Sequence, residues 1–123
     1  MDFRVLQSDD KKLILGYEMD RLARLEPDEN ERQFKAWHAS WRSESLDYYL
    51  PLGWSFGAFR GEVFVGYFLA QTQLFTRALT QTLWIEHIAG DDEAVIAELT
   101  DVAHKLSREK HFQGVLFMSD DHA

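Results

Sequence analysis

An apolar run, Leu83-Trp84-Ile85-Glu86-His87-Ile88, passes through Ala89-Gly90 into three consecutive acids, Asp91-Asp92-Glu93. The acids open a helical pattern. Val95, Ile96, Leu99, Val102, Ala103 and Leu106 form one continuous apolar stripe over residues 93–110, which predicts a helix with a single face to bury. Asp91 or Asp92 is placed to cap it, and Lys105, Arg108 and Lys110 lie at its far end. Every charge therefore agrees with the helix dipole. Gln113-Gly114 stops the helix, and Val115-Leu116-Phe117-Met118 reads as a short strand. A strand that turns this tightly into a helix is the usual place for an anion on free backbone N–H groups. Here three carboxylates fill the turn instead.

The segments before this unit supply the rest of a sheet. Trp54 to Phe59 and Val63 to Phe75 read as strands joined at Arg60-Gly61, where glycine suits the positive φ of a hairpin. Gly66 interrupts the second of them and marks a bulge or a close backbone approach. Thr76-Arg77-Ala78 is a turn, and residues 79–88 form the third strand. Simple alternation puts Trp84, Glu86 and Ile88 on one side of that strand and Leu83, Ile85 and His87 on the other.

The first fifty residues read as a strand and two helices. Phe3-Arg4-Val5-Leu6-Gln7 alternates, and Ser8-Asp9-Asp10 caps a helix whose Leu15, Met19, Leu22 and Leu25 fall on one stripe. Pro27 breaks it. Asp28-Glu29-Asn30-Glu31 opens a second helix that runs to Pro51 and Gly53. Phe34, Trp37, Trp41 and Tyr48 share a face of that helix, with His38, Ser45 and Tyr49 beside it. Such a face is either core or the aromatic wall of a substrate pocket.

Composition limits the chemistry. A chain of 123 residues suits a single domain over 1–123. A net charge of −8 with scattered basic residues repels phosphate backbones and argues against nucleic acid as a partner. The absence of cysteine removes disulfides, thiolate metal sites and a thiol nucleophile. No signal-peptide pattern and no membrane-length apolar run stand in the sequence, so the expectation is a soluble, cytoplasmic protein without a membrane partner. His104 and His111 would lie about 10 Å apart along a helix axis, too far to share a metal. Asp120-Asp121-His122 offers ligand types without preformed geometry. The expected metal count is none.

The order β-α-α-β-β-β-α-β resembles the GNAT (GCN5-related N-acetyltransferase) superfamily. The resemblance rests on Gly61-Glu62-Val63-Phe64-Val65-Gly66-Tyr67, the strand 83–88, the helix 93–110, and the helix-to-strand return Ala103-His104-Lys105…Phe112-Gln113-Gly114-Val115-Leu116-Phe117. It implies an α+β fold, an α/β sandwich with a mixed, mostly antiparallel central sheet. It also implies coenzyme A chemistry. The family grips the pyrophosphate with Arg/Gln-x-x-Gly-x-Gly/Ala, where this chain has Ala89-Gly90-Asp91-Asp92-Glu93-Ala94. Contacts within one helical turn fall inside the roughly 8 Å screening length, so those acids would repel a polyanion.

Two functional expectations follow. The first is a GNAT-like domain without conventional acetyl-CoA catalysis, acting as a binding or assembly module. Its partners would be a second copy (a homodimer covering the last strand's edge) or a basic protein or small amine. The alternative is a divergent acetyl-CoA-dependent N-acetyltransferase acting on an amine. In that case Glu86 is the catalytic base the resemblance implies, and the backbone of Ile88, Ala89 and Gly90 holds the cofactor. Outside that reading Glu86 is a surface glutamate on a half-buried sheet. Trp37, Trp41 and Tyr48 are the candidate substrate or partner residues.

Overall fold

Pairing begins at the hairpin. The computed structural model describes residues 1–75 and 80–118; the turn expected at Thr76-Arg77-Ala78, the residue Leu79 and the Asp120-Asp121-His122 run lie outside them. The strands are β1 (Asp2–Val5), β2 (Phe56–Arg60), β3 (Val63–Phe75), β4 (Thr80–Gly90) and β5 (Gly114–Phe117). The helices are α1 (Lys11–Leu25), α2 (Glu29–Trp37), α3 (Ser43–Tyr49) and α4 (Glu93–Glu109). The sheet order is β1-β2-β3-β4-β5, with antiparallel pairs as far as β4 and β5 parallel to β4. This is the mixed, mostly antiparallel α+β architecture expected. Gly61 has φ 62°, and the turn is Gly61-Glu62, one residue later than the sequence pattern placed it. No helix among the described residues is long and apolar enough to cross a membrane.

The sheet divides two cores. On one face Val95, Leu99 and Ala103 of α4 pack on Ala58, Phe68, Ala70, Leu83, Ile85 and Ile88, all buried. On the other, Ile14 of α1, Leu46 and Tyr49 of α3, and Leu6 and Leu50 pack on Phe64, Tyr67, Leu69 and Ala89. Strand alternation sorts neighbours such as Tyr67 and Phe68 to opposite faces.

Two bulges interrupt that alternation. Ala58 pairs with Gly66 and Phe59 with Phe64, so Val65 is the extra residue of β3. Leu69 pairs with His87 and Ala70 with Ile85, so Glu86 is the extra residue of β4. The bulge and close approach expected at Gly66 are both present. A Cβ there would meet the Ala89 carbonyl and the Val95 Cγ1, each at 2.7 Å. A Cβ on Gly90, which faces Gly66, would meet the same Val95 methyl at 2.9 Å.

The helix ends follow their residues. Asp92 caps α4, its carboxylate accepting the Val95 N–H at 2.9 Å. At the other end His111 takes the left-handed conformation, φ 60°. The His111 N–H reaches Arg108 C=O at 3.1 Å and the Phe112 N–H reaches Ser107 C=O at 2.9 Å. That is a Schellman closure with histidine where glycine is usual, and it stops the helix before Gln113-Gly114. The first strand ends at Val5, because the Gln7 N–H turns to the Asp10 carboxylate at 2.8 Å.

Two helical expectations are corrected. The buried stripe of α1 is Ile14 and Glu18 rather than Leu15, Met19, Leu22 and Leu25; Met19 is 46% exposed and Leu25 73%. The helix is rolled about one position so that Glu18 meets polar groups of the sheet. The single helix expected from Asp28 to Pro51 is two, broken across residues 38–42. Asp28 accepts the Asn30 and Glu31 N–H groups as cap of the first piece. The shared aromatic face is lost with the break. Phe34 is 63% exposed and Trp37 75%, so neither is core, while Trp41 packs against the α1–α3 core.

Candidate functional site

The β4 bulge sets the site. An extra residue turns two successive side chains to the same side, so Glu86 and His87 both face α1 and α3. The expectation that they point to opposite faces is therefore corrected. Trp84 lies on this side as well, while Ile88 is buried against α4.

Glu86 is half-buried. Its Oε1 accepts from the Tyr49 hydroxyl at 2.8 Å and from the Trp84 indole N–H at 3.0 Å. Both donors are neutral. Burial, with the neighbouring Glu86, pushes the Tyr49 hydroxyl well above its ordinary value, so it stays a donor. Glu86 has no cationic partner among the described residues. Its charge is therefore uncompensated where solvent is only partly present, which makes the position attractive to a cation.

His87 belongs to a second, deeper cluster that sequence reasoning missed. Its Nε2 lies 2.6 Å from Glu18 Oε2, and the Tyr67 hydroxyl donates to that same oxygen at 2.6 Å. Arg21 closes on the other carboxylate oxygen at 2.5 Å. Glu18 is 1% exposed. Burial pushes its carboxyl up, but His87, Tyr67 and Arg21 outweigh burial and hold it below the usual range. Burial and Glu18 together hold the Tyr67 hydroxyl far above its ordinary value. An acid four residues after a core isoleucine was the one available signal.

The acidic turn lies next along the chain. The Asp91 N–H donates to the Val65 carbonyl at 2.9 Å, at the β3 bulge. The Tyr17 hydroxyl sits 2.8 Å from Asp91 Oδ1 and 3.0 Å from that same carbonyl. Burial and Asp91 raise the Tyr17 hydroxyl well above its usual value. The Asp92 carboxylate takes the Val95 N–H and lies 3.6 Å from Arg60. The connection between β4 and α4 is these two residues alone.

Beside the turn, β4 runs on to Gly90, beyond its described pairing with β5. Their pairing runs from Thr82↔Gly114 to Ile85↔Phe117, and the Met118 N–H reaches Ile85 C=O at 2.9 Å. Ladder alternation, fixed by Asp91 pointing to β3, turns the amides of Ile88 and Gly90 away from β3 and that of Ala89 toward Tyr67. The end of β4 thus carries backbone groups that point away from β3. The α4 N-terminus beside it already carries its own carboxylate.

The remaining candidates separate. Tyr48 stands near Glu86, its ring edge-on to Tyr49 at 4.9 Å and its hydroxyl donating to Gln71 at 2.7 Å. Trp37 and Trp41 instead line a groove of about 950 Å³ between α1 and α2, with Leu15 and Met19.

No family model matches the chain, and no curated protein matches it. Solved structures do. A GCN5-related N-acetyltransferase from Ralstonia eutropha JMP134 superposes with TM-score 0.67 at 13% identity, over 98% of this chain and 84% of that one. A ribosomal-protein-alanine N-acetyltransferase from Brucella melitensis biovar Abortus 2308 gives 0.63 at 13%, over 98% and 82%. An aminoglycoside acetyltransferase from an uncultured soil metagenomic sample gives 0.62 at 20%, over 98% and 78%. The chain has the GNAT fold over nearly its whole length.

Proposed function

We propose that this acetyltransferase fold serves as a binding or assembly module without conventional acetyl-CoA catalysis, and that Glu86 receives an alkylammonium group, from a small amine or a basic protein side chain. One observation carries the reading. At the start of α4 the Asp92 carboxylate already holds the Val95 N–H at 2.9 Å, and Asp91 is tied to Tyr17 and Val65. A pyrophosphate would have to displace one carboxylate and approach two more. These residues do not fit that group. A cation fits Glu86, a carboxylate whose Oε2 has no hydrogen-bond partner among the described residues and whose neighbours are aromatic. The fold relative that acts on aminoglycosides, which are polyamines, is compatible with such a ligand.

Calorimetric titration tests this directly. Acetyl-CoA should give no micromolar binding, whereas spermidine should bind and should lose that binding in Glu86→Gln. One-to-one micromolar binding of acetyl-CoA would overturn the proposal. A second reading, a divergent acetyl-CoA-dependent N-acetyltransferase, is favoured by the place of Glu86 at the β4 bulge, half-buried among aromatic side chains. It requires Glu86→Gln to lower turnover by orders of magnitude in an acetylation assay across many amines.

A further inference from the structure

A primary alkylammonium group carries several N–H donors, and one carboxylate oxygen normally meets only one of them. Glu86 supplies such an oxygen. Its Oε1 is taken by Tyr49 and Trp84, and its Oε2 is free among the described residues. The β4 bulge raises a second acceptor on the same side. His87 turns its Nε2 to Glu18 at 2.6 Å. Glu18 is 1% exposed and is held ionised by Arg21, Tyr67 and His87. An ionised carboxylate has no proton to give, so the proton in that contact belongs to Nε2. Neutral His87 therefore keeps its lone pair on Nδ1. Nδ1 has no hydrogen-bond partner among the described residues, yet no buried side-chain nitrogen or oxygen there lacks one. Nδ1 is thus open to solvent. It is bonded beside the ring's attachment point, so it lies on the main-chain side of the imidazole, and Glu86 is the residue before it.

We propose that His87 Nδ1 is the second acceptor of the amine site, so that the site takes a primary or secondary alkylammonium and rejects a quaternary one. The proposal rests on the reading of Glu86 as the carboxylate that receives the cation. A nitrogen about 2.9 Å from each acceptor bridges two acceptors up to about 5.8 Å apart. That span suits side chains raised on one side of a strand from neighbouring residues, whose Cα atoms are about 3.8 Å apart. Glu18 does not meet the ligand; it fixes the ring and assigns the acceptor nitrogen. The arrangement also links binding to pH. Among the described residues, His87 is faced by Glu18 of α1, with Arg21 and Tyr17 beyond it, and by Tyr67 of β3, 5.6 Å away between ring centroids. Glu86, held by Tyr49 of α3, stands beside it on β4. Glu18 and Arg21 offset each other, and the phenols are neutral. A proton on His87 makes Nδ1 a donor and sets a positive charge against the ammonium.

Calorimetry of the full chain with n-butylammonium and tetramethylammonium chlorides tests the proposal. Alkylammonium ions stay charged well above neutral pH, so pH acts on the protein alone. At about pH 8, where an ordinary histidine is neutral, butylammonium should bind about a hundredfold more tightly, about tenfold for each charge-assisted hydrogen bond. His87→Phe should remove one of those tenfold factors. Between about pH 8 and about pH 5.5 the intact chain should lose butylammonium affinity about tenfold. His87→Gln, which keeps an acceptor and cannot titrate, should hold its affinity nearly constant. Nitrogen-15 spectra of the His87 ring in the free protein should show the proton on Nε2, and Glu18→Gln should move it toward Nδ1. Equal affinity for the two cations, or a neutral ring protonated on Nδ1 in the intact chain, would overturn this proposal and leave the Glu86 reading standing. Binding of neither cation would overturn both.

Discussion

The two faces of the sheet are built on different principles. The α4 face is apolar and dry: Leu83, Ile85, Ile88, Val95, Leu99 and Ala103 meet there with no ionised group among them. The α1–α3 face holds a carboxylate, an imidazole, a phenol and a guanidinium in one cluster, and it ends in exposed aromatics. Volume alone holds the first face; the second adds specific partners to an apolar core of Ile14, Leu46, Phe64 and Leu69. A face held by volume needs only complementary shapes. A face held by partners fails when one hydrogen bond is lost, yet it is also the face able to recognise a ligand.

The largest expected effect tests the dry face. Leu99→Ala should cost about 3 kcal/mol in urea unfolding, as a cavity among close-packed side chains. Glu18→Gln changes almost no volume and should still cost about 2 kcal/mol, because Arg21 loses its ionic partner and Tyr67 its carboxylate acceptor. If the isosteric change is silent, the contrast between the faces collapses.

The same variant carries a pH signature. The Glu18 carboxyl is held below its usual value of 4.5. Its contribution is therefore complete above about pH 4.5 and is lost as pH falls from there through the lowered folded value. Glu18→Gln should remove that part of the acid-side loss from a series of melting curves. Next, Asp92→Ala should cost about 1 kcal/mol for the lost cap. It should also raise the affinity of the α4 N-terminus for inorganic phosphate, measured by titration. The smallest effect has the opposite sign. His111→Gly should stabilise by about 0.5 kcal/mol, since glycine adopts a positive φ without strain.

The dry face was legible in the sequence because α4 agrees with itself at every level. Asp92, the apolar stripe, the basic end and the strand before it all point to one structure, and the pairing of β2, β3 and β4 followed from their composition. The partner-held face was not legible for three physical reasons. A bulge adds a residue, so alternation assigned His87 to the wrong side. A buried Glu18 looks like a surface acid until Tyr67 and His87, far away in sequence, are brought to it. The break after Trp37 depends on α2 having no core to extend across, which no local spacing records. Glu86 could be singled out from the sequence; Tyr49 as its partner could not.

The parallel strand β5 has a consequence in time. Its four residues pair only with β4 among the described residues, and the chain reaches them only by way of α4. No tight turn can deliver a parallel neighbour, so the crossover must close first. β5 thus arrives only after α4 has packed. Its amides should exchange with solvent at the rate at which α4 lifts from the sheet.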